Sequence, residues 1–135
     1  MSNPGSYETL EFSTSDGVAT VLLNCPQSRN AISKRMRTEL LDAFTTVAMD
    51  GGVSAVVVAG RGRAFCAGAD LGEPDPPPTD RLLMDGYLPV FQCILAMDKP
   101  VISAVSGVAA GIGMSLALAC DLTIMADDAC FWAPF

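Results

Sequence analysis

Short, apolar, β-branched runs alternate along the chain with segments of helical periodicity, and this alternation constrains the fold more than any other feature. Three such runs, each bounded by turn residues, occupy positions 54–60, 101–107 and 122–126. Apolar residues recur at helical spacing over 36–47 and 83–94, and an apolar helix is predicted from 113 onward. Strands that alternate with helices assemble most simply as a right-handed α/β arrangement with parallel strands. We expect the strand at 54–60 to be buried on both faces.

A hairpin and a capped helix are predicted ahead of the first of these runs. Alternating residues from Leu10 lead into a turn at Ser15-Asp16-Gly17 and a β-branched strand that ends before Pro26. Ser33 is a suitable N-cap for the helix that follows, and we expect that helix to cover the sheet.

The stretch 101–120 carries no charged residue and is long enough to be considered as a membrane span. Serine and glycine interrupt it repeatedly, however, and its apolar pattern changes period part-way. A buried strand, a turn and a helix account for it better, so we expect no membrane partner.

The composition of the chain excludes several classes of ligand and of catalytic residue. The chain of 135 residues is long enough for one domain, and its net charge of −7 gives no basic surface for nucleic acid. The sequence contains no histidine, which excludes Ser-His and Cys-His nucleophiles and histidine-bound metals. Its five cysteines form no CxxC pair, so neither a metal site nor a disulfide framework is indicated, and a reducing cytoplasm is expected.

Two turns of small residues are the candidate site. Positions 66–70 read Cys-Ala-Gly-Ala-Asp and lead into a proline-rich segment at 73–79, expected to be a mobile surface loop before a helix resumes at Asp80. A second turn, at 111–113, starts the apolar helix, whose first N–H groups lack intrahelical acceptors. Converging amides from both turns would form an oxyanion hole for a thioester enolate. Glycines that merely allow close helix–strand packing are an equally good interpretation.

Three stretches resemble the enoyl-CoA hydratase/isomerase (crotonase) superfamily in order and separation: NCPQSRNAIS, VVVAGRGRAFCAGADL and KPVISAVSGVAAGIGMSLALACDLTIMADDACFWAPF. The resemblance covers nearly the whole chain. It implies a spiral of ββα units that binds acyl-CoA, usually followed by a C-terminal helical region that builds trimers or hexamers. Because the chain ends on an apolar, aromatic stretch, we expect residues 1–135 to be an incomplete domain without that region.

The same resemblance implies specific site residues. It assigns the two oxyanion amides to Ala69 and Ile112. It assigns coenzyme A contacts to Ala67, Asp70 and Leu71, with Arg29 and Ala31 in a nearby loop. Arg29 could meet a phosphate of coenzyme A, although a solvated loop arginine is as good an interpretation. The coenzyme A thioester would be substrate, and no permanently bound cofactor is expected.

The departures from the family concern proton transfer. Ser115 and Phe135 stand where two-glutamate hydratases of this family carry their acid/base carboxylates. Hydration needs a carboxylate-held water and a proton donor, so we expect double-bond isomerisation, with its single base beyond Phe135. The alternative is a non-catalytic acyl-CoA-binding or scaffold protein that kept the fold.

Other reactive side chains are expected to be structural. We expect Asp70 to bond local amides, Asp121 to be structural, and the pair at 127–128 to form a turn. We expect Cys66 to be a small buried hydrophobic residue rather than a nucleophile. Aromatic and methionine side chains on the resumed helix could line an acyl channel or pack in the core; they are Met84, Tyr87 and Phe91.

Overall fold

A computed structural model describes residues 6–134. Its main sheet has five strands in the order β1-β2-β3-β4-β6, and a second, two-stranded sheet pairs β5 with β7. The strands are β1 Leu10–Ser15, β2 Val18–Leu23, β3 Ala55–Gly60, β4 Val101–Val105, β5 Val108–Ala110, β6 Leu122–Met125 and β7 Cys130–Trp132. The helices are α1 Lys34–Ala48, α2 Thr79–Arg81, α3 Leu88–Leu95 and α4 Ile112–Ala119, with a π-helical segment Leu82–Tyr87 between α2 and α3.

The predicted parallel α/β arrangement is confirmed for β2, β3, β4 and β6, which run parallel to one another. Strand β1 pairs antiparallel with β2 through a tight turn in which Asp16 and Gly17 both have positive φ. Such a turn matches the twist of the two strands that it connects. The predicted burial of β3 is only half right: Val56 and Val58 are fully buried, but the opposite face is half-buried.

Helix α1 begins where the sequence predicts. The Ser33 hydroxyl oxygen accepts a hydrogen bond of 3.1 Å from the Met36 N–H and so satisfies one of the free donors of the first turn. Its buried stripe includes Met36, Leu40 and Phe44, which join the core side chains of β2 and β3. The same helix also buries a charged residue, Arg37, which periodicity alone does not predict.

The segment after the small-residue turn departs from prediction in two ways. The resumed helix begins at Thr79 and widens over Leu82–Tyr87, where the Leu88 N–H bonds to the Leu83 carbonyl oxygen five residues back. Pro89 explains the widening, because it has no N–H to donate and its ring would crowd the carbonyl of an α-helical turn. The expected mobile loop is also anchored at its start, since Glu73 is ion-paired to Arg37.

The second sheet was not predicted, because strands of three residues carry no recognisable period. Strand β5 follows β4, and β7 pairs with it in parallel, in the register Ala109 opposite Phe131. Isolated bridges join Ile32 to Ala69 and Cys66 to Ala109, so extended pieces after β2 and β3 continue this second layer. Each strand of the main sheet from β2 onward is thus followed by a short extended piece, as in repeated ββα units.

The uncharged stretch 101–120 contains the predicted buried strand and helix, and a second short strand lies between them. It contains β4, β5 and α4, with Leu116 and Ala117 buried against the core. Helix α4 is shorter than expected and leaves Leu118 exposed. Within residues 6–134, no helix has the length and apolar character needed to cross a bilayer.

Candidate functional site

The small-residue turn at 66–70 is held from both sides by backbone hydrogen bonds. On one side, Cys66 N–H donates to the Val108 carbonyl oxygen at 3.2 Å, and Ala110 N–H donates to the Cys66 carbonyl oxygen at 2.9 Å. On the other side, Ala67 N–H donates to the carbonyl oxygen of Arg29 at 2.9 Å. The turn therefore lies between β5 and the loop that follows β2.

Ile32 determines which way the Ala69 N–H points. The Ile32 N–H donates to the Gly68 carbonyl oxygen at 2.7 Å, and the Asp70 N–H donates to the Ile32 carbonyl oxygen at 3.2 Å. In a parallel bridge of this kind, the residue between the two bonded groups directs its own N–H away from the partner strand. The Ala69 N–H accordingly faces away from Ile32, and it has no acceptor among residues 6–134.

The start of α4 supplies a second free donor. Gly111 N–H is bonded to the Trp132 carbonyl oxygen at 2.9 Å, and Ser115 N–H to the Gly111 carbonyl oxygen at 3.2 Å. Ile112 is the first residue of α4, and its N–H likewise finds no acceptor in the described part of the chain. A helix N-terminus carries partial positive charge, so this N–H favours a negative atom.

Glycine allows the turn and the helix to approach each other. A Cβ atom added at Gly68, whose φ is +109°, would lie 3.0 Å from the Ala110 carbonyl oxygen and 4.0 Å from the Ile112 nitrogen. A Cβ atom added at Gly113 would lie 2.5 Å from the Cys66 carbonyl oxygen. Close packing and two N–H groups without acceptors among residues 6–134 therefore occur together here, so the two interpretations of these glycines do not exclude each other.

Buried hydrogen bonds of Asn30 hold the first residue of the turn, Cys66, and the segment that precedes it. The buried Asn30 side chain accepts from Cys25 N–H at 2.8 Å and donates to the carbonyl oxygens of Arg61 and Ala64, both at 3.0 Å. The Cys66 thiol donates to the Asn30 carbonyl oxygen at 3.1 Å, and burial raises the pKa of this thiol to about 11. A thiol that stays protonated at neutral pH is a poor nucleophile, in agreement with its structural interpretation.

Two carboxylates near the site, those of Asp70 and Asp121, are engaged in structural bonds. Asp70 Oδ1 accepts from Gly72 N–H at 3.0 Å, as expected for a local turn, and Asp121 Oδ2 accepts from Val101 N–H at 2.8 Å. The predicted turn at 127–128 is present. Ser115 is half-buried on α4, one turn after Ile112. The bonds of Asp70 and Asp121 therefore support their expected structural roles.

Three of the five predicted coenzyme A contacts border two cavities. Arg29 and Ala67 line a cavity of about 330 Å³ together with Arg63 and Trp132. Asp70 lines another, of about 390 Å³, on the other side of the turn. Two predicted contacts border neither cavity: they are Leu71, which is 97% exposed, and Ala31, which is half-buried.

Sequence reasoning missed a buried polar cluster next to the site. The Arg37 guanidinium is paired with Glu73 at 3.1 Å and lies over the ring of Tyr87, 5.2 Å from its centroid. Tyr87 is 4% exposed, and its hydroxyl is buried without a partner among the described residues. Of the three proposed channel residues, Tyr87 joins the core cluster, Phe91 packs against it and Met84 is exposed.

Comparisons with known proteins agree on the family. The family model described as enoyl-CoA hydratase/isomerase matches residues 13–135. A protein of Rhodobacter capsulatus named "Probable enoyl-CoA hydratase" is 39% identical over 132 residues, covering 96% of this chain and 51% of that protein. The crystal structure of an enoyl-CoA hydratase from Mycobacterium avium subsp. paratuberculosis superposes with a TM-score of 0.85 at 35% identity. That superposition covers 94% of this chain and 50% of the other.

The described fold is therefore the α/β fold of crotonase-type proteins, as the sequence predicted. The chain belongs to the enoyl-CoA hydratase/isomerase family. It spans about half the length of the curated relatives that it matches.

Proposed function

We propose that the protein acts on acyl-CoA thioesters and that the N–H groups of Ala69 and Ile112 bind the thioester oxygen. The observation that carries this proposal is the orientation of Ala69: both backbone groups that flank it are bonded to Ile32, and its own N–H has no acceptor in the described part of the chain. The free N–H at the start of α4 provides the second donor. Family membership supports the choice of an acyl-CoA ligand, because the matching relatives are named as enoyl-CoA hydratases.

The chemistry follows from placing two fixed donors at a carbonyl oxygen. Removal of a proton from the carbon next to the thioester moves an electron pair onto that oxygen and forms an enolate. Preorganised N–H groups bind the enolate oxygen more strongly than the neutral carbonyl, and one such donor typically contributes about 3–4 kcal/mol to the transition state. No metal is needed for this step.

Among reactions of this type, we favour isomerisation of an enoyl-CoA double bond over hydration. Isomerisation needs one base that moves a proton between C2 and C4 of the acyl group, with no change in overall composition. Hydration needs a carboxylate-held water and a proton donor, whereas α4 offers Ser115 at the corresponding position. Within residues 6–134 we assign no base: Asp70, Glu73 and Asp121 are bonded elsewhere, and Asp127 and Asp128 lie in a turn.

The coenzyme A moiety would lie along the turn. We propose contacts with Arg29 and Ala67 on one side, and with Ala31, Asp70 and Leu71 on the other. The cavity beside Arg29 and Arg63 has the charge to receive a phosphate.

A pair of substitutions at Ile112 tests the proposed function. Ile112→Pro removes the N–H at the first helical position, where proline is well tolerated, and should lower kcat about 10²–10³-fold. Because no base is assigned within residues 6–134, kcat is measured in the longest available form of the protein, and the unchanged protein must turn over an enoyl-CoA before the variants are compared. Ile112→Ala keeps the N–H and is the matched control, with kcat expected within a few-fold of the unchanged protein. Equal turnover in the two variants would contradict the oxyanion assignment.

Binding and turnover are measured on the same preparation. Calorimetric titration with a saturated acyl-CoA tests binding, and enoyl-CoA assays separate isomerisation from hydration. Binding without turnover would support the alternative, an acyl-CoA-binding or scaffold protein. Absence of binding would leave only the fold in common with the family.

Assembly and location are part of the same proposal. We propose a homotrimer or hexamer, for which exposed apolar side chains on α4 and β6 give support; they are Leu118, Leu122 and Ile124. Sedimentation equilibrium tests the oligomeric state. The five free thiols suit a reducing cytoplasm, and fractionation with thiol trapping tests that location.

A further inference from the structure

Arg37 is a charged side chain buried beside the turn that carries Ala69. It is 8% exposed, and its partner Glu73 is 12% exposed. Long charged side chains are rarely buried to this degree unless they are paired, and burying a pair costs desolvation energy that its attraction only partly offsets. The pair therefore contributes little to stability, and its burial indicates a different role.

The guanidinium is fixed in position from several directions. Its Nη1 and Nη2 atoms meet the two carboxylate oxygens of Glu73 at 3.2 and 3.1 Å, which is a bidentate pair. The ring of Tyr87 forms a platform beneath it. Gly86 completes the enclosure, because a Cβ atom added there would lie 3.0 Å from Arg37 Nε. Because these contacts fix the guanidinium, it restrains the position of the Glu73 carboxylate.

Glu73 also contacts the last residue of the 66–70 turn through its backbone. The Gly72 N–H bonds to Asp70 Oδ1 at 3.0 Å, and the Glu73 N–H reaches the Asp70 carbonyl oxygen at 3.5 Å. Ile32 already holds Gly68 and Asp70 from the other end. Ile32 precedes the Ser33 cap of α1, and Arg37 lies in the first turns of the same helix, so one rigid element holds the turn at both ends.

We infer that Arg37 is a positioning residue for the Ala69 N–H. By fixing Glu73, it prevents the segment after Asp70 from pulling the turn out of register with Ile32. Its meaning for catalysis rests on the proposed function, whereas its effect on the turn is a property of the free protein. The experiment therefore has one arm without ligand and one with it.

Four variants separate this role from general stability. Arg37→Met breaks the pair, and Arg37→Lys keeps the charge but loses the bidentate geometry. Arg37→Met combined with Glu73→Met replaces the pair by apolar side chains without leaving a buried charge. Arg35→Met is the matched control, since Arg35 lies two residues away and pairs with Glu8 at 3.2 Å on the surface, with exposures of 60% and 70%.

The first arm measures amide hydrogen exchange in the free protein. In Arg37→Met, protection of the Ile32 and Asp70 N–H groups should fall about tenfold or more, while that of the Ala110 N–H should not fall in step. Protection of these two groups in Arg37→Lys should lie between that of Arg37→Met and that of the unchanged protein. Protection in Arg35→Met should equal that of the unchanged protein. The inference would be overturned if exchange accelerated equally at all protected amides, or if exchange at the Ile32 and Asp70 N–H groups did not accelerate. Full restoration of their protection in the double variant would also overturn it, because space filling would then suffice.

The second arm uses the longest available form of the protein, because no base is assigned within residues 6–134. It measures kcat for an enoyl-CoA and the dissociation constant of a saturated acyl-CoA. Arg37→Met should lower kcat about tenfold with little change in ground-state binding, and Arg37→Lys should recover part of the loss. A parallel loss of binding and turnover would argue against positioning. If the unchanged protein neither binds nor turns over thioesters, the proposed function fails, and hydrogen exchange still decides the role of Arg37.

Discussion

Asn30→Asp is the substitution for which the structure predicts the sharpest effect. The side chain is fully buried, and its amide nitrogen donates to two carbonyl oxygens, those of Arg61 and Ala64. Its oxygen accepts from Cys25 N–H. The replacement has the same shape and tolerates the left-handed backbone at this position, where φ is 58°. The hydrogen-bond polarity changes from two donors to none, and at neutral pH the new carboxylate adds a buried negative charge.

The magnitude follows from the two carbonyl groups left without donors. A buried polar group that loses its partner costs about 1–3 kcal/mol, which applies in full to the Ala64 carbonyl group. The part-buried Arg61 carbonyl group costs less, because water can reach it. Burial of the new carboxylate adds to this cost, so we expect a total loss of about 2 kcal/mol or more at neutral pH. Protonation of the new carboxyl would restore one donor. Burial and the two carbonyl dipoles raise the pKa of that carboxyl in the folded state. The folded variant therefore binds the proton more tightly, and its deficit in stability grows as pH rises above about 4.

Urea denaturation at pH 7 and pH 5 measures this deficit as a change in the free energy of unfolding. Asn24→Asp is the control, because it adds the same charge at a half-buried residue whose side chain makes no hydrogen bond among the described residues. We expect at least about 2 kcal/mol more destabilisation from Asn30→Asp than from the control. A difference below about 1 kcal/mol, or a larger loss at pH 5 than at pH 7, would refute the reasoning.

Three further predictions concern the support of the site. Burial raises the pKa of Cys66 to about 11, so unfolding free energy should fall between pH 9 and 11, and Cys66→Ala should reduce that slope in a pH series. Gly113→Ala should destabilise by about 1–3 kcal/mol in urea, because its Cβ would meet Cys66; a smaller loss would show that the helix shifts freely. Ser33→Ala should cost about 1 kcal/mol by thermal unfolding, and Ser33→Asp should retain the cap.

Features set by neighbouring residues were predictable from the sequence. The hairpin turn at Asp16-Gly17, the cap at Ser33 and the apolar stripe of α1 each depend on side chains within a few positions. The parallel order of the main sheet followed from the alternation of strands and helices. Strands β5 and β7 could not be predicted in this way, because each is three residues long and is defined by its pairing with the other.

The site was only partly predictable for the same reason. The resemblance to a family named Ala69 and Ile112, but the direction of the Ala69 N–H depends on Ile32, which lies far from it in sequence. Arg37 lies at a position that reads as the polar edge of α1, and its partner Glu73 sits at the start of a proline-rich segment. Neither local pattern predicts a buried ion pair, because each of the two charged side chains can be buried only in contact with the other.

The residues between β2 and α1 explain why these long-range contacts converge on one turn. Arg29 accepts from Ala67 through its carbonyl group, Asn30 bonds to the carbonyls that precede the turn, and Ile32 pairs with both neighbours of Ala69. Ser33 then starts the helix that presents Arg37 to Glu73. Because successive backbone groups point in opposite directions, inserting one residue here would exchange the groups that face the turn. The length of this connection, as much as its composition, therefore determines whether the Ala69 N–H remains free.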